Sequence, residues 1–176
     1  MGTETGESHY TALRAWLQHP EKFAPEEAMD LFTIAQNFAV YQHYQGVPGA
    51  MQDLKALYDG MLQSGVVTDK GLISTKLYKN ITMLMCRFGN LDWAEAFVER
   101  YRARVANDPD GMMWGYNRAV IHFHRGEFAK VVEVMYRELT RFEDPGVGIG
   151  ARIYFCRSLW MMEEYEWLLQ QLKGFQ

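Results

Sequence analysis

The heptapeptide Phe88-Gly89-Asn90-Leu91-Asp92-Trp93-Ala94 decides the fold, because its pattern returns at a fixed step along the chain. Gly89 is followed 37 residues later by Gly126, and 37 after that by Glu163. The same step links Leu91, Phe128 and Tyr165, and one helical turn further on it links Ala94, Val131 and Leu168. A period of this size is the signature of helical-repeat solenoids. In such folds a helix pair buries its apolar face by stacking on a neighbour. The expected fold class is all-α.

Working outward, every strongly patterned segment repeats at helical spacing and none sustains strand alternation. Tyr10, Leu13 and Leu17 mark a short first helix that Pro20 stops. Pro25, Glu26 and Glu27 suit a helix start. The helix they open carries Leu31, Ile34, Ala35 and Phe38 on one stripe and runs to about Gln45, where Gly46-Val47-Pro48-Gly49 breaks it. A third helix with Leu54, Leu57, Tyr58 and Met61 ends near Ser64-Gly65. After a connection at 66–74 without helical pattern come three pairs: 75–88 with 91–105, 112–125 with 128–142, and 149–162 with 165–173. Leu139 falls on the inner stripe of the second of these pairs. Turn residues at Asn107-Asp108-Pro109-Asp110-Gly111 and Glu143-Asp144-Pro145-Gly146 separate the pairs. The expected organisation is a disordered lead or artificial tail at 1–8 and one helical-repeat domain at 9–176, with pairs at 25–64, 75–105, 112–142 and 149–173.

The 176 residues are 48% apolar and 23% charged, ordinary globular values that argue against disorder. A net charge of −4 offers no electrostatic footprint for nucleic acid or anionic lipid. No apolar run reaches the roughly 20 residues that span a bilayer. The opening MGTETGESHY lacks the features of a secretory signal. Cys86 and Cys156 stand far apart, on apolar faces, and read as buried free thiols of a reducing cytoplasm.

Arg125-Gly126-Glu127-Phe128-Ala129-Lys130-Val131 and the opening heptapeptide resemble the turn of a tetratricopeptide repeat. That turn has glycine, an aromatic or large apolar residue two places later, and alanine three after that. Tyr116-Asn117 with Ala119, and Tyr78 with Asn80, are similar to the family's first-helix segment. The resemblance covers 75–172, and 25–64 more loosely. It implies a right-handed α-α superhelix of antiparallel helix pairs. The chain departs from the pattern in its step of 37 against the family's roughly 34. Glu163 also replaces the turn glycine, Val131 and Leu168 replace the small residue, and Cys156 stands where glycine or alanine is usual. The whole chain resembles the C-terminal part of longer bacterial proteins built from such helices. Its first helix has no partner before it, so a preceding element is expected.

Catalytic and metal chemistry find little support. His122 and His124, two apart on a helix, point about 200° apart and cannot share an ion; a packed His122 and a solvent-facing His124 are expected. Asp108-Pro109-Asp110-Gly111 lacks the later ligands of a calcium loop and reads as a turn. Gly146-Val147-Gly148-Ile149-Gly150 has no strand before it and no Lys or Ser/Thr in register, so it reads as a flexible linker rather than a phosphate cradle. Trp93 and Trp167, two periods apart, read as structural. Neither cysteine has a base nearby in sequence, and Glu95, Glu99, Glu163 and Glu164 read as scattered acids on solvated faces. No catalytic residue, cofactor or metal is expected, and the protein is expected not to be an enzyme.

The resemblance places a binding groove on the first helix of each pair. It would be lined by Lys76, Lys79, Met83 and Arg87, then Met113, Tyr116, Val120, Phe123 and His124, then Ile153, Arg157 and Trp160. Lys79 and Asn117 fit the family's carboxylate clamp, whereas Met83 and Phe155 occupy positions where it uses polar groups, so a chain terminus is not the expected ligand. Tyr116, Phe123 and Trp160 fit a groove and a packed interior equally. Apolar anchors mixed with cations suit an extended, partly acidic peptide. The expected function is a non-catalytic cytoplasmic scaffold binding a protein or peptide, with neither nucleic acid nor membrane as partner. The alternative is a structural or self-associating C-terminal domain, weakly oligomeric through uncapped ends rich in Trp160, Tyr165, Trp167 and Phe175.

Overall fold

The computed structural model describes residues 3–66, 68–69, 71–138 and 145–173. The described residues form nine α-helices, two 3-10 turns, and one small ribbon of β1 (Thr68–Asp69) and β2 (Leu72–Ile73). The chain is all-α, as its periodicity predicts. It divides into two compact units, residues 1–72 and 73–176, where the sequence reading takes 9–176 as one domain. The division falls in the stretch 66–74 that lacks helical pattern.

The first unit holds α1 (Thr3–Trp16), α2 (Pro25–Tyr44) and α3 (Ala50–Ser64). Helix α1 starts at Thr3, inside the stretch 1–8 that the sequence reading sets apart: once Tyr10 and Leu13 are buried, each further residue adds one backbone hydrogen bond for one residue fixed. Pro25 opens α2, and the Glu27 carboxylate accepts the Ala24 N–H at 3.1 Å. Helix α2 buries Ala28, Phe32, Ala35, Ala39 and Gln42, while Ile34 is 57% exposed. The buried stripe is thus rotated from the expected one. Three fully buried alanines let α3 approach closely, so closeness, and not side-chain size, selects the face. Leu54, Leu57, Tyr58 and Met61 of α3 are buried as expected. The Arg14–Asp53 ion pair (2.7 Å) joins α1 to α3.

The second unit holds α4 (Thr75–Arg87), α5 (Leu91–Tyr101), α6 (Met112–His124), α7 (Phe128–Glu138), α8 (Pro145–Met161) and α9 (Tyr165–Lys173). Ser74 caps α4 by accepting the Leu77 N–H at 3.2 Å. The Tyr78 hydroxyl donates to the Val98 carbonyl at 2.6 Å and ties α4 to α5 inside the core. The α-helical part of α5 stops at Tyr101 and tightens into a 3-10 turn at Arg102–Arg104, so the expected helix to 105 is shorter. Val105 is then free to run parallel to Ile73, whose carbonyl accepts the Ala106 N–H at 2.8 Å. The buried carboxylate of Asp108 accepts the Met113 N–H and anchors the start of α6.

Helix α6 packs against α4, α5, α7 and α8, and it buries residues on nearly every side. The three first helices, α4, α6 and α8, are consecutive neighbours. Helix α8 begins at Pro145 and includes the glycines expected to form a linker. Proline suits a first turn, and Val147 and Ala151 bury the face that holds that turn in place. Leu139, the rest of the expected helix to 142 and the turn residues Glu143-Asp144 lie outside the described residues, as does Phe175.

The period of 37 has a backbone cause. Gly89, Gly126 and Glu163 all lie in the left-handed region, with φ of 72°, 77° and 62°. At each, two hydrogen bonds close the preceding helix. Asn90 N–H reaches Met85 O at 2.9 Å, Glu127 N–H reaches His122 O at 2.9 Å, and Glu164 N–H reaches Leu159 O at 2.9 Å, each beside a shorter-range bond from the left-handed residue itself. This is the Schellman closure, and glycine suits it because a Cβ is strained there. Gly46 (φ 73°) makes the same closure after α2, with Val47 N–H on Gln42 O.

Two predictions follow from this backbone. Glu163 adopts a conformation that costs a non-glycine residue about 1 kcal/mol. Urea unfolding should therefore show Glu163→Gly more stable by about that amount and Gly126→Ala less stable by about 1 kcal/mol. At Gly150 an added Cβ would sit 2.6 Å from the Tyr116 hydroxyl oxygen. Gly150→Ala should cost about 1–2 kcal/mol, and a double-mutant cycle with Tyr116→Phe should recover much of it.

Candidate functional site

The expected groove residues separate into two groups. Met113, Tyr116, Asn117 and Val120 are buried, with Asn117 and Val120 fully so. They form core and not groove, because α6 is enclosed by helices on four sides. Asn117 therefore cannot reach a ligand as half of a clamp, and its amide has no hydrogen-bond partner among the described residues. Phe155, the other clamp position, is likewise buried. Exposed or half-buried are Lys76, Lys79, Met83 and Arg87 on α4, Phe123 and His124 on α6, and Ile153, Arg157 and Trp160 on α8.

Within that second group the structure assembles one cluster from the ends of three helices. The Arg157 guanidinium lies 4.7 Å from the centre of the Phe123 ring. Tyr154 meets the same ring edge-on at 5.1 Å, and Phe128 and His124 meet it at 5.5 and 5.9 Å. Burial pushes the Tyr154 hydroxyl above its ordinary range and the nearby Cys86 adds to this, while the charges of Arg157 and Arg87 oppose them. Arg87 closes α4, and its charge is felt at Tyr154. Partial burial, then the charge of Arg157, holds the His124 imidazole below its ordinary range. Among the described residues neither Arg87 nor Arg157 has a carboxylate partner. Tyr154 is absent from the expected set, although it lies one period after Asn117, so the same 37-residue step places it there.

Several charges near the second helices pair with one another. Arg125 binds Asp92 at 3.0 Å and Glu95 at 2.7 Å, and its hydrogen bond holds the Glu95 carboxyl below the ordinary range. Glu99 accepts from Trp114 at 3.1 Å and pairs with Arg118. The acids Glu95 and Glu99, expected as scattered solvated charges, are thus parts of a network. Buried His122 bonds Glu127 at 2.5 Å, whose carboxyl is lowered by that bond and by Lys130, while His124 faces outward. Trp93 stacks on Phe97 at 5.5 Å and Trp167 meets Phe155 at 5.7 Å, so both are structural.

Surface depressions lie elsewhere. One of about 540 Å³ in the first unit is lined by Leu17, Phe32, Leu57 and Arg14. Another of about 610 Å³ in the second unit is bounded by Arg102 and Asn107–Gly111 backbone around the capping Asp108. Neither gathers a nucleophile with a base. Among the described residues no three His, Cys, Asp or Glu side chains converge as metal ligands, and no helix is long and apolar enough to cross a membrane.

No protein-family model matches the chain, and neither a curated protein nor a solved structure matches it.

The thiols differ in access. Cys86 is buried and its thiol is pushed up to about 12 by that burial, whereas Cys156 is half-buried with a smaller upward push of the same cause. At pH 8 Ellman's reagent should label folded protein at Cys156 first. A Cys156→Ser variant should stay unlabelled until denaturant is added; prompt labelling of Cys86 in that variant would contradict the packing between α4 and its neighbours.

Proposed function

We propose that the second unit is a divergent tetratricopeptide-like, right-handed superhelix of antiparallel helix pairs. It acts as a non-catalytic cytoplasmic scaffold. It holds a partner protein segment on the face formed by α4, α6 and α8, without a cofactor. The consecutive neighbour relation of these three helices supports the architecture, and so do the identical closures at Gly89, Gly126 and Glu163.

One observation carries the binding reading. Among the described residues the Arg157 guanidinium stands without a carboxylate partner over the half-buried Phe123 ring, and Arg87, likewise without one, acts electrostatically on the neighbouring Tyr154. A stacked, planar guanidinium keeps its donors free for a carboxylate. The adjacent Met83 and Phe123 offer apolar contact, and Lys79 extends the positive character along α4. The fitting ligand is an extended peptide that presents Asp or Glu next to a large apolar side chain. The clamp for a chain terminus is not formed, so an internal segment fits better than a free C-terminus.

Short random peptides displayed against the full chain test this reading. Enriched sequences should combine acidic with large apolar residues. Their affinity, measured by fluorescence anisotropy, should fall about tenfold or more in Arg87→Glu/Arg157→Glu, and should weaken as salt rises from about 50 to about 500 mM. Enrichment without acids, or binders indifferent to the double substitution, would remove the assignment.

A further inference from the structure

The last helix pair exposes an apolar face whose equivalent in the pair before it is buried or half-buried. Ile149, Ile153 and Trp160 lie on one stripe of α8, and Tyr165, Leu169 and Leu172 lie on one stripe of α9. All six are between 46% and 59% exposed. Trp160 and Tyr165 touch edge to face at 5.2 Å, which joins the two stripes into one surface. One period of 37 earlier, Ile153, Leu169 and Leu172 correspond to Tyr116, Val132 and Met135. Those three are buried, where α6 and α7 pack against α8. Three of the six positions are therefore interior in one pair and open in the next, while the equivalents of the other three, Met112, Phe123 and Phe128, are half-buried.

We infer that this α8–α9 face is the interface of a twofold dimer, and that its occupant is the same face of a second copy of this chain. Six large side chains at about half exposure present on the order of 500 Å² of apolar surface, near the upper end of what a monomer shows. Joining two such patches removes on the order of 1,000 Å², the minimum for a specific interface. The charges around the face fit a twofold arrangement. Helix α9 carries Glu163, Glu164 and Glu166 at its start and Lys173 at its end, all exposed. Two α9 helices crossing antiparallel set acid against lysine at both ends, and their dipoles oppose one another favourably. Arg157, four residues after Ile153 and three before Trp160, borders this contact, so a second copy and a bound peptide would compete at this edge of α8; the dimer itself is argued from the exposed apolar stripes and the charges of α9, without the peptide-binding reading.

Sedimentation velocity on the full chain, from about 1 to about 500 µM, tests the inference across the affinity range of a modest interface. The mass should rise from one to two copies of the 20.5 kDa chain. Trp160→Glu/Leu169→Glu should remain monomeric throughout, with unchanged far-UV circular dichroism. Lys173→Glu alone should weaken dimerisation about threefold, and adding Glu166→Lys should restore it. A monomer over the whole range overturns the proposal. So does a dimer that survives Trp160→Glu/Leu169→Glu, growth beyond two copies, or a charge swap that fails to recover association.

Discussion

A residue held in the left-handed conformation at the end of each first helix is the constraint on which the repeats depend. It ends the helix by satisfying carbonyls that would otherwise stay unpaired. It also reverses the chain within a few residues, so the next helix must return antiparallel along the first. Repeating this at Gly89, Gly126 and Glu163 places α4, α6 and α8 as successive neighbours. The enclosure of α6 then follows, since a middle hairpin has a hairpin on either side. Gly46 shows the same device in the first unit, outside the 37-residue step.

Much of this was legible in the sequence because backbone requirements leave marks. The repeated glycine announced the turn, and the residue spaced two beyond it announced the start of the second helix. Glu163 carried no such mark of its own, yet the step located it, and its backbone matches the glycines it replaces. What misled were cues that have two physical meanings. Glycines at 146, 148 and 150 read as breakers, but Gly150 serves close packing against Tyr116 inside a helix. The large residues Leu31 and Ile34 read as the buried stripe of α2, but alanines occupy it because the neighbouring helix comes so near. The groove suffered from the same ambiguity. A first helix presents one face outward and others inward, and sequence spacing could not reveal that α6 is enclosed. Tyr116, Asn117 and Val120 therefore moved from surface to core, while Phe123 stayed half-open.

The second unit separates its charges by role. Around α5 and α7 acids pair with Arg118, Arg125, Lys130 and Arg137, and the Trp114 ring is a platform for Arg102 and Arg118. The pairs of Arg118 and Arg125 fasten hairpin to hairpin. Among the described residues Arg87 on α4 and Arg157 on α8 have no acid partner, and Arg157 rests on the Phe123 ring. In a chain of net charge −4, Arg87 and Arg157, without acid partners among the described residues, carry a sign opposite to the overall one.

Helix α9 has no fully buried side chain. Its attachment rests on half-buried Trp167, Leu168 and Gln171, so detaching it breaches no part of the interior around α6. Local opening is cheapest where the fewest apolar contacts are lost. Backbone amides of α9 would accordingly exchange with solvent long before those of α6, and α9 would loosen by itself while α8, anchored by Ala151, Phe155 and Leu159, stays packed. Cooperativity in this unit is then graded along the stack, strongest at its middle and fading toward its last turn of helix.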